Sequence, residues 1–164
     1  MPSTPLTTEQ ILTRLADTPT RLAEPTAGLT PAQSRAAPAP GEWSANDVLA
    51  HLRACADVWG GCIAAILAED GPTLRAVNPT TWIKRTDYAD LAFEPSLRTF
   101  TAQRADLLAL LGPLPFEGWS RAATVTGAGR VLRRTVRSYA GWLANHERPH
   151  VKQVERIVAT LRTG

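Results

Sequence analysis

The stretch that most restricts what this chain can fold into is Thr135 to Thr160, TVRSYAGWLANHERPHVKQVERIVAT. Val136, Ala140, Leu143, His150, Val154, Ile157 and Leu161 follow one another at steps of three, four or seven, the period of one face of an α-helix. A helix with such a stripe has to bury it against other elements. His150 interrupts the apolar series, and a polar ring on a buried stripe needs a partner. His146 stands four residues earlier, so the two imidazoles are neighbours on one face and can reach the same metal ion.

His51, the third histidine, lies in GEWSANDVLAHLRACADVWGGCIAAILAED, a second strongly periodic segment. Here Val48, Leu52, Cys55, Trp59, Cys62 and Ile66 step by four and three, which is the seam of a helical bundle. Ser44 and Asp47 have the spacing of a capping box, in which hydroxyl and carboxylate satisfy free backbone N–H groups at the helix start. That reading of Asp47 competes with one in which it accepts the distal N–H of His51. Gly60 and Gly61 weaken the helix, and close approach of a neighbouring helix is the usual compensation.

The remaining segments supply two more helices. Ile11, Leu12, Leu15, Leu22 and Leu29 mark a first helix, with a break or kink expected near Thr18-Pro19. Thr30-Pro31 has the form of a short helical start, and AAPAPGEW is a connector. Glu94-Pro95 opens a third helix with the stripe Leu97, Phe100, Arg104, Leu107, Leu108 and Leu111, ended by Gly112-Pro113. Arg104 on that stripe is expected to snorkel to solvent, or to offer a cation to a pocket.

Between the second and third helices, Gly71 to Glu94 shows no period. A connector of that length is explained if the two helices run parallel, because an extended chain can return along a helix of about 40 Å. Trp82, Tyr88 and Phe93 are read as its anchors over the bundle, with a ligand lid as the alternative. Trp119 to Val131, around Thr126-Gly127-Ala128-Gly129, reads as a short hairpin or loop.

With 164 residues and no break in composition, the chain is expected to form one domain over residues 1–164. Its net charge of +3 argues against nucleic acid or anionic membrane as a partner, and Arg130, Arg133, Arg134 and Arg137 are read as a solvated helix start. Cys55 and Cys62 are seven apart on one helix, about 10 Å at a rise of about 1.5 Å per residue, too far to bond. Free thiols, an N-terminus MPSTPLTTEQ unlike a signal peptide and apolar runs too short for a bilayer lead to a cytoplasmic expectation.

GEWSANDVLAHL, the later NHERPHVKQV and the helix spacing between them resemble the DinB/YfiT-like superfamily of bacterial metal-binding four-helix bundles. The resemblance covers nearly the whole chain. It implies an all-α four-helix bundle of up-down-down-up topology, in which the positions matching the family's metal ligands are His51, His146 and His150. Some members of that family transfer or isomerise with small thiols such as bacillithiol and mycothiol, and many have no assigned activity. Pro149 departs from the common pattern. It removes the hydrogen bond to the Asn145 carbonyl and is expected to kink the last helix between the two histidines.

Three neutral imidazoles leave open positions on a zinc, nickel or iron ion, zinc being the first choice, and an open position is what catalytic sites keep. Cys55, one turn from His51, is the alternative fourth ligand. The leading functional expectation is a metal-dependent thiol transferase, with a hydrolase or a stress- or DNA-damage-associated scaffold without turnover as alternatives. Tyr139 is read as a packing residue and Gln153 as a neighbour of the site. A small-molecule thiol or electrophile, and a second copy of the chain in a homodimer, are the expected partners.

Overall fold

The computed structural model describes residues 4–163, so the first three residues of the N-terminal reading lie outside it. Four long helices form the bundle: α1 (Thr8–Thr26), α3 (Ala45–Ala68), α5 (Phe93–Leu111) and α6 (Val136–Thr163). Short helices α2 (Pro31–Arg35) and α4 (Pro79–Trp82) lie in the connections, with strands β1 (Thr73–Arg75), β2 (Ala122–Thr126) and β3 (Leu132–Thr135).

Side-chain bonds set the helix directions. Contacts between α1 and α6 climb together, from Arg14 with Asn145 to Arg21 with Glu155, so these helices are parallel. Those between α3 and α6 run oppositely, from Trp43 with His150 to Trp59 with Trp142, so these are antiparallel. Arg53 with Ser96 and Asp57 with Gln103 make α3 and α5 parallel. The order is therefore up-down-down-up, as expected. α1 packs on α6 and α5, and α3 packs on the same two, leaving α5 and α6 across the bundle's diagonal.

Local chemistry explains where the helices start. Thr7, Thr30 and Ser44 each cap a helix through a reciprocal capping box, and Thr135 and Ser138 cap α6 in the same manner. Asp47 spends its carboxylate on the backbone N–H and hydroxyl of Ser44, which decides its role in favour of the cap.

None of the internal prolines Pro19, Pro25 and Pro149 breaks its helix. α1 is continuous through Pro19 because the carbonyl that the proline strands, Leu15 O, accepts from the buried guanidinium of Arg104 at 2.9 Å. α6 is likewise continuous through Pro149, so the expected distortion does not interrupt it. Pro149 and Asn145 are both exposed, and the stranded carbonyl lies on the side where water can reach it.

The connector is anchored rather than loose. Trp82 Nε1 and Tyr88 Oη donate to Asp57 at 3.0 and 2.5 Å, Gln103 Nε2 adds a third bond, and Phe93 is buried as the first residue of α5. β1 pairs in parallel with β2, which pairs antiparallel with β3, so the hairpin read from the sequence belongs to a three-stranded sheet. Gly127 and Gly129 make its turn at φ of +86° each. Arg133 and Arg134 therefore stand in β3, before the helix, and Arg134 lies over the Trp142 ring. Gly60 and Gly61 do not serve close packing, since a Cβ at either would meet nothing within 4 Å.

α3 is long and apolar enough to cross a bilayer by composition, but half of that stretch is buried inside the bundle as a core helix. Its apolar side chains divide between two clusters. One gathers Ile11, Leu15, Cys55 and Leu143, the other Leu22, Leu49, Phe100 and Val154. Polar residues occupy the level between them.

Candidate metal centre

α3 and α6 bring the three histidines together from positions 95 residues apart in sequence. The ring centroids of His51, His146 and His150 lie 5.0, 4.9 and 4.7 Å from one another. His51 Nε2 and His146 Nε2 face each other at 3.1 Å. A tetrahedral ion about 2.0–2.1 Å from each nitrogen would set such a pair about 3.3 Å apart, so the spacing suits a shared ligand edge.

Electrostatics favour the ligand form of these rings. Burial, followed by the charge of His150 and His51, lowers the His146 pKa to about 4. Burial and then His150 lower that of His51 as well. Both rings are therefore neutral at neutral pH, with a lone pair to offer. His150 Nδ1 lies 2.9 Å from Gln153 Oε1, an acceptor, which places the ring proton on Nδ1 and frees Nε2 for a metal.

Hydrogen bonding within the cluster is incomplete. Nδ1 of His146 is buried and has no partner among the described residues. Two facing Nε2 atoms can share one proton at most, whereas one cation satisfies both lone pairs. The facing Nε2 lone pairs of this half-buried cluster point to a ligand rather than to packing. The donor set suits a borderline ion of the zinc, nickel or iron kind.

Two cavities border the cluster. One of about 660 Å³ is lined by His150, Gln153, Glu42 and Arg156, and another of about 360 Å³ by His51, Asp47, Thr80 and Ile83. Trp43 borders both, with its ring stacked on His150 at 6.2 Å and tilted against His51 at 5.3 Å.

The sequence model of the DinB superfamily matches residues 14–154, which takes in α3 and α5, most of α1 and α6, and all three histidines. The chain belongs to the DinB superfamily. Among solved structures it is similar to YfiT from Bacillus subtilis, with a TM-score of 0.75 and 18% identity over 96% of this chain and 90% of that one. YfiT is described as a probable metal-dependent hydrolase with an unusual four-helix bundle topology. At that identity the likeness speaks for the shared fold. No curated protein matches the chain.

In this DinB-superfamily bundle the donor atoms that group most closely are those of His51, Cys55 and His146, all within 4.8 Å of one another. Cys55 Sγ lies 3.7 Å from His51 Nε2. Tyr139 is elsewhere, buried edge-on against Trp142, in keeping with a packing role.

Sequence reasoning missed two polar centres. Asp57, which holds the connector, reads in the sequence as one more polar position beside a bundle seam. Arg104 neither snorkels nor enters a pocket: it is 2% exposed and pairs with Glu147, itself 1% exposed. Its place on an apolar stripe was the signal, but the partner 43 residues away was not legible.

Proposed function

We propose that this protein is a metal-dependent enzyme in which His51, His146 and His150 hold one divalent ion, zinc first and nickel or iron next, and in which a small thiol is activated for transfer to an electrophile. The observation that supports it best is the convergence of the three imidazoles between two cavities that open to solvent. A metal site serving only to tie helices together would be sealed by side chains.

When bound, the ion supplies a positive charge that makes a thiol or a water acidic near neutral pH. The chain's own residues prepare that step. Burial keeps His51 and His146 unprotonated. Gln153 holds the tautomer of His150. Trp43 presents an aromatic wall that limits water beside the rings. Arg156 makes no ion pair among the described residues and gives the larger cavity a cation for an anionic substrate group. Two free thiols, Cys55 and Cys62, support a cytoplasmic, reducing setting.

Water activation is the second reading, favoured by the description of YfiT. The two diverge when metal-loaded protein is offered electrophiles with and without bacillithiol, mycothiol or glutathione, and conjugates and hydrolysis products are separated. Conjugate that requires both the thiol and His51 is the expected result. Hydrolysis without thiol would replace transfer by the second reading, and absence of any product would overturn both. A His146→Ala, His150→Ala double variant should lose the metal, and stoichiometric retention would sink the site assignment.

A further inference from the structure

Three histidines are the ligand set expected from the sequence, yet the tightest group of donor atoms includes a sulfur. We propose that Cys55 is a further protein ligand of the same ion, bound as thiolate from beneath the cluster, with the coordination position on the side of the two cavities left to substrate. This rests on metal binding at the histidines as proposed above.

Distances carry the inference. His51 and Cys55 are four residues apart on α3 and project from one face. A tetrahedral ion with metal–nitrogen bonds of about 2.05 Å and a metal–sulfur bond of about 2.3 Å sets an N···S edge of about 3.6 Å and an N···N edge of about 3.3 Å. The protein holds Cys55 Sγ 3.7 Å from His51 Nε2, and the two Nε2 atoms 3.1 Å apart. Both edges suit one ion shared by His51, Cys55 and His146, the donor group that His150 does not enter as the rings stand.

Position supports the same assignment. Cys55 is 1% exposed and lines neither of the two cavities beside the histidines, so it sits beneath the cluster, away from where substrate enters. A buried cysteine is ordinarily a small apolar residue. An ordinary core cysteine would not need its sulfur 3.7 Å from one imidazole nitrogen and within 4.8 Å of the facing one.

The chemical consequences are definite. Ligation exchanges the S–H bond for a metal–sulfur bond, and the proton passes to solvent with no change of oxidation state. A mixed nitrogen and sulfur set favours a thiophilic ion over a hard one. Substrate then joins as an added ligand on the cavity side, opposite the sulfur.

Cobalt(II) substitution of the full chain tests this, because thiolate ligation produces an intense near-ultraviolet charge-transfer band that imidazole ligation lacks. Expected are one cobalt per chain with the band in the unaltered protein, loss of the band with cobalt retained in Cys55→Ser, and a band unchanged in Cys62→Ser. Bound cobalt without the band, or a band lost only in Cys62→Ser, overturns Cys55 as a ligand and leaves the histidine site standing. Failure of the unaltered protein to bind cobalt or zinc overturns the site itself. X-ray absorption of the zinc-loaded unaltered protein needs no variant: one sulfur at about 2.3 Å is expected beside nitrogens at about 2.0–2.1 Å, and a shell of nitrogen and oxygen alone overturns the proposal.

Discussion

Two polar clusters share one helix, since His146 and Glu147 are consecutive residues of α6, about a quarter turn apart, that meet different neighbours. Glu147 turns toward α1 and α5, where Arg104 binds both carboxylate oxygens and Thr18 Oγ1 donates to one of them at 3.0 Å. Arg104 also takes up the Leu15 carbonyl left by Pro19. His146 turns toward α3, where one ring nitrogen faces another and the second has no partner among the described residues. The first cluster closes its electrostatics internally, with both charged partners buried. The second leaves lone pairs unmatched beside two cavities. Burial of polar groups therefore serves two ends here: a completed network ties α1, α5 and α6 together, and an incomplete one is set up for a ligand.

The sharpest way to break this contrast is to open the completed network. Glu147→Ala should strand the Arg104 cation in the core and cost about 3–5 kcal/mol in denaturant unfolding. An Arg104→Met, Glu147→Leu double variant should recover most of that loss, because an apolar pair removes both charges together. Equal instability of the single and double variants would show that packing, and not the unpaired charge, explains the loss.

A smaller effect is expected on the other side of α6. Gln153→Leu should weaken metal binding about 10–100-fold by freeing the tautomer and orientation of His150, with little change in metal-free stability. Competition with a chromophoric chelator reads the affinity. An unchanged value would separate Gln153 from the site.

The mildest effect is on pH dependence in the absence of metal. Since the folded protein holds the His146 pKa at about 4 against 6.5 for an unperturbed ring, the unfolded chain binds more protons between these values. Stability should be complete above the unfolded value and fall as pH drops from about 6.5 toward 4, with His51 acting in the same direction. Thermal melts in chelator should show that slope, and His146→Ala should flatten it. A slope that survives the substitution would assign the effect to other groups.

How much of this could be read beforehand depended on range. The caps at Ser44 and Thr30, the stripes of α3 and α6 and the i, i+4 pairing of His146 with His150 involve residues within a turn or two of each other. So does the length of the connector, which foretold parallel α3 and α5. β1 escaped notice because a three-residue strand is too short to show a period, and it exists only through pairing with β2 across 50 residues. Pro19 looked like a breaker because the donor that rescues Leu15 O comes from α5.

By itself, then, the sequence determined which segments are helices, which face each buries and which imidazoles can share a turn, because hydrophobic period and capping act locally along the chain. Tertiary structure alone decided what each buried polar group meets. Arg104 finds Glu147, Asp57 gathers Trp82, Tyr88 and Gln103, and Cys55 comes to lie against His51 and His146. Those outcomes rest on distances of a few ångströms between residues far apart in sequence, and electrostatic and coordination energies vary steeply over that range while residue order does not report it.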